Sequence, residues 1–297
     1  MEIINLNDNT YQFVKNFRDN ADLRKSLNEL TTVTFGFDFE QWYQDGYWGD
    51  HYVPYSLLHN DKIISNVSIS KIEFNIENKA KLGIQIGTVM TDEAYRKRGL
   101  NKFILERVLG EWKDRCDFIY LFANDSVLDF YPKFNFKRLV EYQHSKIVKP
   151  SGASGIKQLN MANEKEKEQL IEAIRTSAPV SKVAARNNVP LVMFYCLSFK
   201  KNSIYYIESL KAIVVAEYEG DTLIVDDVFC RETVDVNEVI QYMSKKGTHK
   251  AALGFTPLDE TDFSTSLVTG EDTLFVWKDH LGFFKNNQCR FPVLSHA

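Results

Sequence analysis

The chain has 297 residues, a formal net charge of −4, 44% hydrophobic residues and 26% charged residues. Those proportions describe a globular protein long enough for two domains, and the negative balance argues against a broad nucleic-acid surface. No apolar run is long enough to span a bilayer, residues 1–5 lack the basic-then-apolar pattern of a signal peptide, and the four cysteines lack disulfide or zinc spacing.

A cytoplasmic protein with reduced thiols is therefore expected, with no metal, membrane or nucleic-acid partner; the oligomeric state is left open. In chain order, the first distinctive stretch is residues 35–52, dense in aromatic and acidic side chains. Asp38, Glu40, Asp45 and Asp50 would attract a cation, and aromatic faces such as Trp42 and Tyr47 could hold it. The same aromatics also suit core packing.

Residues 82–90 read as a strand rich in β-branched side chains. Gly83 and Gly87 inside it suggest a bulge or a close backbone approach. The run Val89, Met90, Thr91 leads into a basic loop, Arg96-Lys97-Arg98-Gly99-Leu100-Asn101, and the loop opens a helix. A helix N-terminus carries free amide donors and the positive end of the dipole, so it favours a phosphate. Leu100, Phe103, Ile104, Val108, Leu109 and Trp112 form the apolar stripe of that helix. Residues 117–124 read as a buried strand, 126–133 as a short helix, and 137–148 as strand again. The segment Phe130-Tyr131-Pro132-Lys133-Phe134-Asn135-Phe136 closes this half, with Asn135 suited to a positive φ.

These landmarks resemble the GNAT superfamily of acyl-CoA-dependent N-acyltransferases. Its loop pattern is Gln/Arg-x-x-Gly-x-Gly/Ala, matched by Arg96 and Gly99, with Asn101 where the family prefers Gly or Ala. Its second landmark is Phe-Tyr-x-x-x-Gly-Phe, matched except for Asn135. The resemblance implies acetyl-CoA as cofactor, with the diphosphate at residues 96–101. Pantetheine would lie along Val89, Met90 and Thr91, in a gap between splayed strands, and contact Asn124. Tyr131 would be the acid that protonates the departing thiolate, since a phenol keeps its proton at neutrality. A small amine would attack the thioester directly. In the family the amine approaches over the N-terminal helices and nearby loops, so the resemblance makes Trp42, Asp45 and Tyr47 acceptor-site candidates by region. Glu73, Asp45 and His51 are possible general bases by region only. The alternative is a non-catalytic CoA-binding or regulatory protein with the same fold.

Residues 149–155 have linker composition. After them come a charged helix at 164–175, strands at 203–210, 212–218 and 222–230, a helix at 234–245, and strands at 250–255 and 272–277. The order parallels the first half, but Cys230-Arg231-Glu232-Thr233-Val234 stands where the basic loop would be. The expected fold is α/β (α+β): a mixed, mostly antiparallel GNAT sheet flanked by helices over residues 1–148, followed by a smaller, degenerate GNAT-like lobe over 156–297. The loop and the long second half are also similar to the enhanced-intracellular-survival type of GNAT protein. That likeness implies a role for the terminal carboxylate of Ala297.

Overall fold

The computed structural model describes residues 1–297 except 151, 153, 271, 286 and 297. Part of the linker and the terminal carboxylate of Ala297 thus lie outside the described residues. In the first half, β1 (Glu2–Leu6) and β2 (Asn9–Lys15) precede helices α1 (Ala21–Phe35) and α2 (Glu40–Gln44). Strands β3 (Tyr52–His59), β4 (Lys62–Ile76) and β5 (Lys79–Thr91) follow, then helix α3 (Leu100–Trp112), β6 (Phe118–Asn124), β7 (Phe136–Arg138) and β8 (Tyr142–Ile147). The second half holds β9 (Ile156–Gln158), α4 (Glu164–Thr176), β10 (Val183–Arg186), α5 (Val189–Leu197) and β11 (Ile204–Ile207). It continues with β12 (Ala212–Glu219), β13 (Thr222–Phe229), α6 (Val236–Met243), β14 (Lys250–Leu253), β15 (Ser264–Leu267) and β16 (Asp272–Trp277).

Two sheets result. The first runs β1-β2-β3-β4-β5-β6-β16-β7, with β10 also paired to β4; the second runs β15-β8-β14-β13-β12-β11-β9. Each contains an antiparallel meander, a helical crossover to a parallel strand, and then an antiparallel strand donated by the other half of the chain. In the first sheet the crossover is β5–α3–β6 and the donated strand is β16. In the second they are β13–α6–β14 and β8. Both sheets also carry a bulge just past the last parallel pair, at Thr88–Val89 and at Asp226.

This exchange corrects the strand expected at 137–148. Residues 137–148 are not one strand: β7 stays in the first sheet and β8 crosses to the second. The crossing is pinned by buried Glu141, which accepts from the Phe291 amide at 2.8 Å and pairs with Arg290 at 3.4 Å. The residues expected as a short helix at 126–133 form two 3-10 turns instead, Asp125–Val127 and Tyr131–Phe134.

Helix α3 buries Leu100, Ile104, Leu105, Val108, Leu109 and Trp112 against the first sheet. Each such side chain contributes roughly 1.5–3 kcal/mol by leaving water. Helices α1 and α2 pack a separate cluster, including Leu27, Phe39 and Trp42, around Met90 of β5. Strand β5 therefore has packed layers on both faces. Gly83 is confined by Phe74 and Phe118, whose ring carbons would lie 2.7 Å from an added Cβ.

Candidate active site

Strands β5 and β6 pair in parallel from Gly83↔Phe118 to Ile86↔Leu121 and then part. The bulge sets the geometry of the opening. Ser68 faces Gly87 and Asn66 faces Met90, so Thr88 and Val89 together oppose Val67. Thr88 takes φ +49°.

A buried polar network holds it there. Asn66 Nδ2 donates to the Thr88 carbonyl and to Ser68 Oγ, both at 2.9 Å, while its Oδ1 accepts from Ser56 Oγ at 2.7 Å. The Tyr52 and Thr88 hydroxyls are 3.0 Å apart. In a trans peptide the carbonyl and the following N–H point in opposite directions. With the Thr88 carbonyl drawn toward β4, the Val89 amide faces the gap on the β6 side. Of the neighbouring groups named from sequence, the Met90 side chain points into the α1 layer, and the Thr91 carbonyl accepts from Arg96 Nε at 3.3 Å.

The basic loop follows. Asp92 Oδ1 accepts from the Ala94 amide at 2.9 Å and turns the chain. Lys97 and Gly99 adopt left-handed angles, φ +62° and +76°. Nothing lies within 4 Å of a Cβ added at Gly99, so conformation is what selects glycine there, and the adjacent space is open. Arg98 donates to the Ala94 carbonyl at 2.9 Å and lies over the Tyr95 ring at 4.9 Å. Asn7 of the N-terminal hairpin donates to the Arg98 carbonyl at 2.9 Å. Leu100 and Asn101 then begin α3, where the first-turn amides have no intrahelical acceptor. Asn101 Oδ1 accepts from Ser65 Oγ at 2.6 Å, which ties its carboxamide to β4.

A cleft of about 1080 Å³ joins these parts, lined by residues 85–91 and 95–102 together with Asn124, Tyr131 and Trp42. Tyr131 is 4% exposed and packs on Phe130, Phe136 and Phe275. Burial pushes its pKa up to about 12. Asn135 takes φ +66° and its amide donates back to Pro132. Asn124 is also at the cleft, but its Oδ1 is engaged as a cap, accepting from the Ser126 amide at 3.1 Å.

Two acceptor-site candidates lie elsewhere. Asp45 accepts from Gln41 Nε2 at 2.9 Å, and Tyr47 packs into the second lobe's core. Neither lines the cleft; nor does Glu73, which is exposed on β4, whereas His51 does. Among the described residues no His, Cys, Asp and Glu group could hold a metal ion. No helix among them is long and apolar enough to cross a membrane.

Sequence reasoning missed the Asn66 anchor, since a buried Asn in a strand has no motif. It also missed Asp272 and His296, which the strand exchange and the C-terminal segment bring to the cleft. The His296 ring stacks on Phe122 with centroids 3.5 Å apart, and its Nε2 is enclosed without a partner. Enclosure, helped by Arg290, pushes its pKa down to about 3. The unfolded chain therefore takes up this proton near pH 6.5 while the folded chain does not. This group's contribution to stability is complete above pH 6.5 and declines as the pH falls toward 3, by at most about 1.4 kcal/mol per pH unit. Denaturant titrations from pH 7 to 4 should show a shallower decline for His296→Phe than for the unsubstituted protein. Parallel curves would contradict the enclosure of a neutral ring.

In the second sheet the corresponding gap is filled by the protein itself. The Val293 amide donates to the Gly254 carbonyl at 3.0 Å, and a Cβ on Gly254 would meet Val293 Cγ2 at 2.6 Å.

Residues 22–139 match the family described as acetyltransferase (GNAT) domain. The matched residues contain both the splayed strands and the basic loop. Three solved structures are similar over nearly the whole chain. A conserved protein of unknown function from Enterococcus faecalis, titled a probable N-acyltransferase, shares 14% identity at a TM-score of 0.58, over 91% of this chain and 73% of that one. A GCN5-related N-acetyltransferase from Kribbella flavida shares 12% at 0.55, over 91% and 72%. Eis1 from Mycobacterium abscessus shares 13% at 0.53, over 90% and 74%. At these identities the likeness is one of fold, and it takes in the second lobe as well as the GNAT domain. No curated protein matches the sequence.

Proposed function

We propose that the protein transfers an acetyl group from acetyl-CoA to the nitrogen of a small amine by direct attack. The observation that carries this reading is the bulge, which turns the Val89 amide into the gap of the cleft that Tyr131 also lines. The residues fit the donor. The open first turn of α3 and the loop at 96–101 suit a diphosphate, and the gap beyond Ile86 leaves room for an extended arm.

Acetyl-CoA supplies an activated thioester. The Val89 amide is placed to donate to the carbonyl oxygen as negative charge develops on it. In this reading Tyr131, which lines the same cleft, donates to the departing sulfur. A phenol with a pKa of about 12 cannot give its proton fully to a thiolate of ordinary basicity near 8.5. Tyr131 therefore acts by hydrogen-bond donation to the sulfur, and as the C–N bond forms and the C–S bond breaks, the proton shed by the amine nitrogen passes to water while CoA leaves as the thiolate. Asn101, which stands where the family prefers Gly or Ala, has its carboxamide oxygen tied to Ser65 on β4.

Thiol release from acetyl-CoA in the presence of an amine panel tests the proposal. Release that needs an amine and yields its amide supports it; CoA binding without turnover on any amine supports the non-catalytic reading. Gly99→Val forces a β-branched residue into φ +76°. Its expected effect is CoA binding weakened about tenfold, since strain of about 1–2 kcal/mol must be absorbed by the loop. Calorimetric titration would show it, and an unchanged affinity would remove the loop from the binding site.

A further inference from the structure

The acceptor end of the cleft has a chemistry opposite to the cation site suggested by residues 35–52. The four acids of that stretch are engaged elsewhere. Glu40 pairs with Arg24 at 2.9 Å and Asp50 with Arg18 at 2.8 Å. Asp38 accepts from the Glu40 amide and Asp45 from Gln41, both at 2.9 Å. None of the four lines the cleft.

What lines it is a ladder of rings from both lobes. Phe37 stands at the centre, with ring centroids 6.1 Å from Phe35, 5.5 Å from Phe39, 5.6 Å from Phe194 and 6.0 Å from Phe199. Phe39 and Trp42 form the buried end, while Phe35 and Phe199 are 44% and 57% exposed at the rim. Core packing accounts for the buried rings but not for two large apolar side chains left in water beside a cleft.

Charge points the same way. Lys71, Arg96, Lys97, Arg98, Lys102 and Lys133 line the cleft, against Asp129 and Asp272 as its carboxylates. The cations at 96–102 suit a polyphosphate, and beyond them Lys71 and Lys133 are balanced by Asp129 and Asp272, so the rest of the lining has no acidic excess to hold a polycation.

We infer that the acceptor is a monoamine whose nitrogen is carried on an aromatic or otherwise apolar body, held by the rings around Phe37. The word acceptor rests on the transferase reading; the binding preference does not. The same rings could instead receive the tail of a long acyl chain, and the two sources are separable by experiment.

Calorimetric titration of the full-length protein with 2-phenylethylamine and with spermidine, each with and without saturating CoA, tests the inference. The expected result is 2-phenylethylamine binding at least about tenfold more tightly than spermidine. The double variant Phe35→Ala, Phe199→Ala removes rim rings that the fold does not bury, and it should weaken 2-phenylethylamine about tenfold. Its CoA affinity should match that of the unsubstituted protein. Spermidine binding as tightly as 2-phenylethylamine would overturn the inference, as would an unchanged affinity in the double variant. A variant that weakened octanoyl-CoA relative to acetyl-CoA, but left 2-phenylethylamine alone, would assign the rings to the acyl chain and also overturn it. Failure to bind CoA at all would instead defeat the transferase reading, and the amine titrations would still decide the preference.

Discussion

Tyr131→Phe is expected to lower kcat by about two orders of magnitude, the lower end of the range for losing one hydrogen-bond donor to charge that develops in the transition state, while CoA affinity stays within about twofold. The reasoning is local. The ring is 4% exposed and packed among Phe130, Phe136 and Phe275, so phenylalanine fills the same space. The hydroxyl has no hydrogen-bond partner among the described residues, so removing it orphans no buried group and the melting temperature should hold. A pH profile adds an independent sign. With the phenol pKa near 12, Tyr131 keeps its proton through pH 10, and no activity should be lost to its ionisation below that point. A limb near pH 10 that vanished in Tyr131→Phe would show an ordinary, exposed phenol and contradict the buried placement.

The second large effect belongs to a residue that touches no substrate. Asn66→Leu removes the donor that draws the Thr88 carbonyl toward β4, and with it the force that turns the Val89 amide into the gap. Loss of a single donor to a developing oxyanion lowers kcat by about 10²–10³-fold, and that is the expected loss. Ser56 Oγ and the Thr88 carbonyl would also lose their buried partner, at a stability cost of about 1–3 kcal/mol. Because instability alone could reduce activity, the discriminating readout is kcat per folded molecule, with CoA affinity measured alongside. A fully active variant would show that the bulge is held by other means or that its amide has no catalytic part.

Much of the first lobe was legible because local chemistry decides it. Gly99 needs a left-handed angle, Asn135 takes another at φ +66°, and the stripe from Leu100 to Trp112 is a helical face in any context. The splayed pair followed from the family resemblance, and the parallel pairing ends where such a gap requires. The strand exchange was not legible. The chain near Glu141 has no signal that sends β8 to one sheet and leaves β7 in the other; long-range pairing with β14 and β16 decides it. For the same reason Asp272 and His296 could not be placed at the cleft. The acids of residues 35–52 misled for a physical reason: carboxylates near arginines and helix starts are satisfied locally, as Glu40 is by Arg24 and Asp38 is by a backbone amide.

The claim on which the rest depends is that the loop at 96–101 and the gap beside Val89 together receive the thioester of coenzyme A. A crystal structure of the protein grown with acetyl-CoA tests it most directly. The expected result is a diphosphate at the first-turn amides of α3, with the thioester carbonyl toward the Val89 amide and the sulfur toward Tyr131. A ligand bound in the second lobe, or a clear map with that gap empty at saturating acetyl-CoA, would contradict it.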